Sequence, residues 1–256
     1  MGLADLHIHS IHSWDGTASI SAILKHVAEN TNLDVIAITD HDEIRGALQA
    51  RDMAPRYGIG VIPGSEVSTA DGHLLALFVE EKIPAGLSLG DTVRRIGALG
   101  GVCVVAHPMA RGVSSVSAEV LRNTLQEPGV NGVLLGIEAI NGGLFHRGSN
   151  ITATALAHTL PVASVGNSDS HLLDTIGEAA TFFPGITTTD LRTALENQRT
   201  EVHLEHVSGP MTIIGRWLVR FVLRSAGWVA WNPEPDQRIR LGRTSQIFAG
   251  YQIRAD

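Results

Sequence analysis

Short apolar runs alternate along this chain with segments whose apolar residues recur every three to four positions. The runs fall at residues 3–9, 34–39, 60–63, 73–79, 102–106, 132–137, 162–165 and 179–183. Most are continuously apolar, as expected of parallel strands buried on both faces. Helical spacing appears between them. Ile20, Ile23, Leu24 and Val27 share a face, as do Ile44, Ala47 and Leu48 behind a potential Asp42 cap. Leu89, Val93 and Ile96 follow the same rule, with Gly100-Gly101 as a stop. Leu121 with Leu125, Ile151 with Ala155 and Leu156, and Leu191 with Ala194 and Leu195 mark three more helices. Repeated strand-then-helix order predicts a parallel sheet with helices outside. Seven or eight repeats favour a closed or nearly closed α/β barrel, with an open doubly wound sheet as the rival.

The pattern changes after Pro210. Arg216, Arg220 and Arg224 recur every fourth residue, and Ile213, Ile214, Trp217, Leu218, Phe221 and Val222 occupy the remaining face. The division expected is a barrel over residues 1–210, then an amphipathic helix and polar tail over 211–256. The helix packs on the barrel or on a partner, and a homo-oligomer through 211–231 is one form of the second case. A membrane surface is the lesser alternative. Each arginine costs roughly 2.5–3.5 kcal/mol at a bilayer centre, so no membrane span is expected.

Composition narrows the function. An apolar content of 44% over 256 residues supports one large core. The formal charge of −7 disfavours a broad nucleic-acid-gripping face, so no long nucleic acid is expected as partner. Cys103 is the single cysteine, which excludes an intrachain disulfide and leaves it as a small core residue. The first run begins almost at Met1 with no basic leader, so the expected location is cytoplasmic.

The polar residues fall in register with the strand ends. Strand one ends in His7 and His9, with Asp5 on the same alternating face, and Asp15 follows in the next loop. Strand two ends in Asp40-His41-Asp42, and strand three in Gly64-Ser65-Glu66. His73 opens the next run, and 102–106 ends in His107-Pro108. Glu138 closes 132–137, with Asn141 beyond, and Asp169-Ser170-His171 follows 162–165. In a parallel barrel those ends share one face, where the active site sits. Imidazoles and carboxylates without thiolate suit Mn²⁺, Fe²⁺ or Zn²⁺, and bridging carboxylates suit ions ~3.5–4 Å apart. His73 is as well read as a strand-initial histidine with an ordinary hydrogen bond. His12, His26, His146, His158, His203 and His206 are read as surface residues or as residues that support the ligands from behind.

The set DLHIHS, WDG, ITDHD, GSEVST, HP and NSDSH resembles the polymerase and histidinol phosphatase (PHP) family of metal-dependent phosphoesterases over about residues 4–184. The resemblance implies a distorted seven-stranded (β/α) TIM-like barrel with two or three divalent ions. It implies a first ion at His7, His9, Glu66 and Asp169. Glu66 would bridge to a second at His107, with His73 as a further ligand, and a third ion would sit at Asp15, His41 and His171. It implies phosphate contacts from Arg111 and Asn141. Gly142-Gly143 interrupts the family's usual Asn-then-Arg pattern, leaving Arg147 as the substitute or as a surface residue. The reaction implied is attack of a metal-bound hydroxide on a phosphomonoester or small phosphodiester. Asp169 is assigned to the catalytic group, and His171 or His41 is the candidate acid for the leaving group. Two other readings remain: a metal-dependent amidohydrolase or deaminase, and a metal-binding module without catalysis.

Overall fold

The apolar runs become strands of one curved sheet. A computed structural model describes residues 1–143, 148–205 and 210–225. In chain order the elements are β1 (Gly2–Ile8), α1 (Ile20–Asn30), β2 (Val35–Ile38), α2 (Arg45–Met53), β3 (Gly60–Thr69) and β4 (Gly72–Leu77). Then come α3 (Leu89–Ala98), β5 (Val102–Val105), α4 (Ala118–Thr124), β6 (Leu134–Asn141) and α5 (Asn150–Ala157). The described chain ends with β7 (Ala163–Asn167), β8 (Ala179–Phe183), α6 (Thr188–Glu196), β9 (Glu201–Leu204) and α7 (Pro210–Ser225). Arg147, His146, His206, the part of 211–231 beyond Ser225 and the tail lie outside the described residues.

The sheet has nine strands in the order β7-β6-β5-β4-β3-β2-β1-β8-β9. It bends until its β7 side meets β1 and β8. His9 N donates to Ser170 O at 2.9 Å, and Ser170 N donates to His7 O at 3.1 Å. Thr181 Oγ1 donates to Gly166 O at 2.8 Å and accepts from Gly166 N at 3.1 Å. A Cβ at Gly166 would lie 2.6 Å from the Ala180 carbonyl oxygen, so the close approach requires glycine there. The result is a nearly closed α/β barrel with a C-terminal helix.

Two apolar clusters fill it. Ala4, Leu6, Ala37, Ile62, Leu75, Val104 and Val165 pack inside the barrel, with Leu191 and Leu195 of α6 among them. Ile36, Ile38, Cys103 and Ile137 belong to the second cluster, with Ile23 and Leu24 of α1, Ala47 of α2, and Val93 and Ile96 of α3. Alternate residues of each strand thus serve the two layers, which is why the runs are continuously apolar. Cys103 is buried, and burial pushes its thiol pKa up.

The sheet departs from the expected all-parallel repeat. β4 runs antiparallel to both β3 and β5, and β8 runs antiparallel to both β1 and β9. β3 pairs with β2 through Pro63, then with β4 from Gly64 to Thr69, so Glu66 sits within a strand rather than at its end. Helix capping differs at one place. Ser19, Ser88, Ser117 and Thr187 cap α1, α3, α4 and α6 through their side chains. Asp42 does not cap α2. Its Oδ1 accepts from Ser68 N at 2.8 Å, and Glu43 Oε1 instead accepts from Ile44 N and Arg45 N at 2.9 and 3.1 Å.

Helix α7 docks on the barrel. Arg216 pairs with Asp174 at 3.2 Å, and Trp217 Nε1 donates to Asp15 O at 3.2 Å. Met211, Leu218, Val219 and Val222 remain exposed. Among the described residues no helix is long and apolar enough to cross a membrane.

Candidate metal centre

One mouth of the barrel gathers nearly all the imidazoles singled out above. β1 delivers His7 and His9. Its pairing with β2 shifts register between Asp5 and Ile8, and the shift separates Asp5 from the histidines. Asp5 does not join them, although strict alternation predicts one shared face. Its carboxylate accepts from Ser168 N, Ser168 Oγ, Gly177 N and His7 N. Burial raises its pKa to about 6. It pins the turn that carries Asp169.

Glu66 is the hub. Its Oε1 lies 2.8 Å from His73 Nδ1 and 2.9 Å from His107 Nε2. Its Oε2 lies 3.1 Å from His7 Nε2, 3.1 Å from His41 Nδ1 and 3.4 Å from His9 Nε2. His73 reaches this mouth because β4 runs backwards, which puts the strand's start beside the end of β3. Asp169 Oδ1 faces His7 at 3.4 Å and His9 at 3.3 Å. Asp15 Oδ2 lies 2.9 Å from His171 Nε2 and 3.4 Å from His41 Nε2. Asp169 and His107 both have positive φ, 51° and 27°. Non-glycine residues tolerate that region at a cost, and such strain concentrates where a side chain must be aimed.

The donor chemistry fits divalent ions. His7 Nδ1 donates to Glu138 Oε1 at 2.9 Å, which leaves a lone pair on Nε2. That atom is buried and makes no hydrogen bond among the described residues, and both His9 nitrogens are the same. His171 Nδ1 lies 3.0 Å from the Asp169 carbonyl, which only accepts, so the neutral ring would present the lone pair of Nε2 toward Asp15. Four groups of His, Asp and Glu place their ligand atoms within 4.8 Å of one another. They are His9, Asp15, His41 and His171; His7, His9 and Glu66; His7, His107 and Asp169; and His41, Glu66 and His73. Buried lone pairs aimed at carboxylates would be costly without a cation between them.

Charges reflect the same crowding. Burial disfavours ionised Glu66, but His7 and His41 outweigh it and hold the carboxyl well below its usual range. Burial and the neighbouring His171 push His9 down to about 4. Burial lowers His41 too, yet Glu66 and Asp15 raise it from 6.5 to about 9. His7 and His171 are raised for the same reason, by their carboxylate neighbours against burial. The charged His41 pairing therefore stabilises the ion-free fold fully below its ordinary 6.5 and loses that contribution as pH rises through about 9. A cation needs that nitrogen deprotonated. The apparent affinity for Mn²⁺ should rise by up to about tenfold per pH unit between about pH 7 and 9, then level off. Calorimetric titration across that range checks it, and a flat profile contradicts it.

Glu138 is the residue that strand-end reasoning noticed but gave no role. It accepts from His7 Nδ1 and Asn167 Nδ2 through Oε1, and from His107 N and Asn141 Nδ2 through Oε2. It thereby orients two candidate ligands at once. The signal was present, since it ends a buried run like the others. Of the expected phosphate contacts among the described residues, neither Asn141 nor Arg111 lines the cavity. Asn141 is buried, with its amide donating to Glu138 at 2.8 Å and Asp169 at 3.2 Å, so it serves carboxylates instead. Arg111 is exposed and makes no hydrogen bond or ion pair among the described residues. Arg147 lies outside them.

The cavity over this floor has a volume of about 780 Å³. Gly112, Ser114, Gly142 and Gly143 line it, as do Trp14 and three residues of α7, Ile213, Ile214 and Trp217. The α7 part of this lining was not foreseen from spacing, because nothing local says where an amphipathic helix will dock.

Comparison with known proteins places this geometry. A PHP domain profile matches residues 5–122, and a PHP-associated profile matches residues 147–200. An uncharacterized protein of Methanocaldococcus jannaschii is 38% identical over 115 residues, covering 41% of this chain and 67% of that protein. Phosphoribosyl 1,2-cyclic phosphate 1,2-diphosphodiesterase of Eggerthella lenta is 37% identical over 100 residues. That match covers 36% of this chain and only 37% of the enzyme. A two-domain protein from Bacteroides vulgatus, described as containing a predicted PHP-like metal-dependent phosphoesterase, has a similar fold with a TM-score of 0.62 at 22% identity. The match covers 85% of this chain and 69% of that one.

Proposed function

We propose, from the premise that this chain belongs to the PHP family of metal-dependent phosphoesterases, that it hydrolyses a phosphomonoester or a small phosphodiester using two or three divalent ions. The observation that carries this reading is the Glu66 carboxylate, with one oxygen between His73 and His107 and the other toward His7, His9 and His41. A buried carboxylate whose two oxygens face different sets of imidazoles would suit two cations set close together. Bound divalent ions would supply Lewis acidity, acidifying a water molecule and offsetting charge on phosphoryl oxygens.

The chain's own residues do the rest. His7, His9, Glu66 and Asp169 would hold one ion, Glu66 with His107 and His73 a second, and Asp15, His41 and His171 a third. Glu138 and the Asp169 carbonyl fix the tautomers of His7 and His171, so each presents Nε2 to the cavity. His41 and His171 line that cavity, and whichever of them is not engaged as a ligand would be placed to hold a proton near a leaving oxygen. The E. lenta relative is named for acting on a phosphodiester, which favours the phosphoester class over amides and nucleobases. The α7 residues lining the cavity and the net charge of −7 favour a small substrate over long nucleic acid.

Turnover of 4-nitrophenyl phosphate and bis(4-nitrophenyl) phosphate with Mn²⁺ tests the reading, beside amide and nucleobase controls. Wild type should hydrolyse at least one phosphoester. His9→Ala should lose on the order of 10²–10³-fold in kcat, with the fold retained. Wild-type rates in His9→Ala, or turnover only of an amide or nucleobase, contradict it.

A further inference from the structure

The loop between β1 and α1 carries Asp15, and the C-terminal helix grips that loop from outside. Within the loop, Ser13 Oγ donates to Asp15 Oδ1 at 2.6 Å, and Ile11 N donates to Ala18 O at 2.9 Å. Its tip folds back so tightly that a Cβ at Gly16 would lie 1.9 Å from the Ser10 carbonyl oxygen. A loop this tight turns its carbonyls outward, where each needs a partner. Helix α7 supplies several. Arg224 Nη1 donates to Trp14 O at 3.0 Å and to Gly16 O, and its Nη2 donates to Ile11 O at 3.2 Å. Trp217 Nε1 donates to Asp15 O at 3.2 Å. The carbonyls on both sides of Asp15, and its own, are therefore held by two side chains about two helical turns apart. A guanidinium bonding several carbonyls at once fixes both their spacing and their plane.

The consequence falls on one part of the metal centre. Asp15 Oδ2 meets His171 and His41, and these with His9 form one of the four candidate groups. Glu66, His7, His107 and Asp169 are carried by β1, β3 and the turns after β5 and β7, whereas the hydrogen bonds of Arg224 and Trp217 go to carbonyls of the β1–α1 loop.

We propose that α7 is a clasp that positions Asp15, so that the cation shared by Asp15, His41 and His171 is held firmly only while the helix is docked. Arg224 and Trp217 are positioning residues. This rests on reading the cluster as a cation site, and it adds a dependence of one ion on the C-terminal helix.

The test uses the full chain as wild type, Arg224→Ala, Arg224→Lys, Trp217→Phe, Asp15→Asn and the Asp15→Asn/Arg224→Ala double variant. Each is equilibrated with Mn²⁺ and assayed for ions per chain by elemental analysis, with affinities by calorimetry. Arg224→Ala should weaken the last ion by about tenfold or more, the scale on which supporting partners act. Trp217→Phe keeps the ring stack on Phe221 and should weaken the same ion less. Arg224→Lys should recover part of the loss. The double variant should bind no fewer ions than Asp15→Asn alone, because both changes act on one site. Unchanged affinities in Arg224→Ala and Trp217→Phe overturn the clasp. Loss of every ion together also overturns it, since the helix would then support the whole barrel. A wild type that shows the one-ion dependence but hydrolyses no phosphoester would sink the functional reading and leave the clasp standing.

Discussion

Glu66→Gln should lower phosphoesterase turnover by about a hundredfold to a thousandfold and lower the number of bound ions, with the barrel intact. The magnitude follows from the electrostatic role a shared carboxylate would play, where losing one preorganised element costs on the order of 10²–10³. An amide at this position keeps the shape of Glu66 but not its charge. Its nitrogen would face His73 and His107, or His7, His9 and His41, whichever way it turned. Neither orientation leaves both sides able to hold a cation. The backbone of β3 pairs with β4 on either side of Glu66, so the strand itself survives. Elemental analysis and circular dichroism on the same preparation separate the two effects. Full metal content with normal turnover would show that Glu66 does not bridge.

Glu138→Gln should cost about 10–100-fold in metal affinity although Glu138 is not itself among the four candidate ligand groups. Four donors converge on this carboxylate: His7 Nδ1, His107 N, Asn141 Nδ2 and Asn167 Nδ2. A glutamine oxygen satisfies one side, and its NH₂ meets donors on the other. Each group left unsatisfied costs about 1–3 kcal/mol, so the variant should also melt earlier. Calorimetric Mn²⁺ titration reads the first effect and thermal unfolding of the ion-free chain the second. Wild-type affinity would mean that His7 needs no orienting partner.

Much of this arrangement was legible before any coordinates. Continuous apolar runs between helical segments announce strands buried on both sides, and the two apolar clusters explain why. The H-x-H pair on β1, the D-H-D after β2 and the His after β5 lie where a strand ends, so their convergence follows from barrel geometry. What was hidden depends on direction and docking. β4 and β8 run antiparallel, and nothing in HLLALFV or AATFF states a direction. His73 looked ambiguous for that reason, and its reversal is what brings it to Glu66. Asp5 belongs with His7 and His9 by alternation, and only the register shift in β1 takes it away. Arg111 sits beside His107 in sequence, yet the intervening turn leaves it exposed while Gly112 and Ser114 line the cavity. The grip of Arg224 on the Asp15 loop joins residues more than two hundred positions apart, beyond the reach of any local pattern.

Anomalous diffraction from crystals grown with Mn²⁺ tests the metal centre most directly. Two or three peaks are predicted at the barrel mouth, each within about 2.0–2.5 Å of imidazole nitrogens and carboxylate oxygens. One pair of peaks should flank Glu66, and a third should lie beside Asp15 and His171. An absence of anomalous density among His7, Glu66, His107 and Asp169 at saturating Mn²⁺ would contradict the assignment.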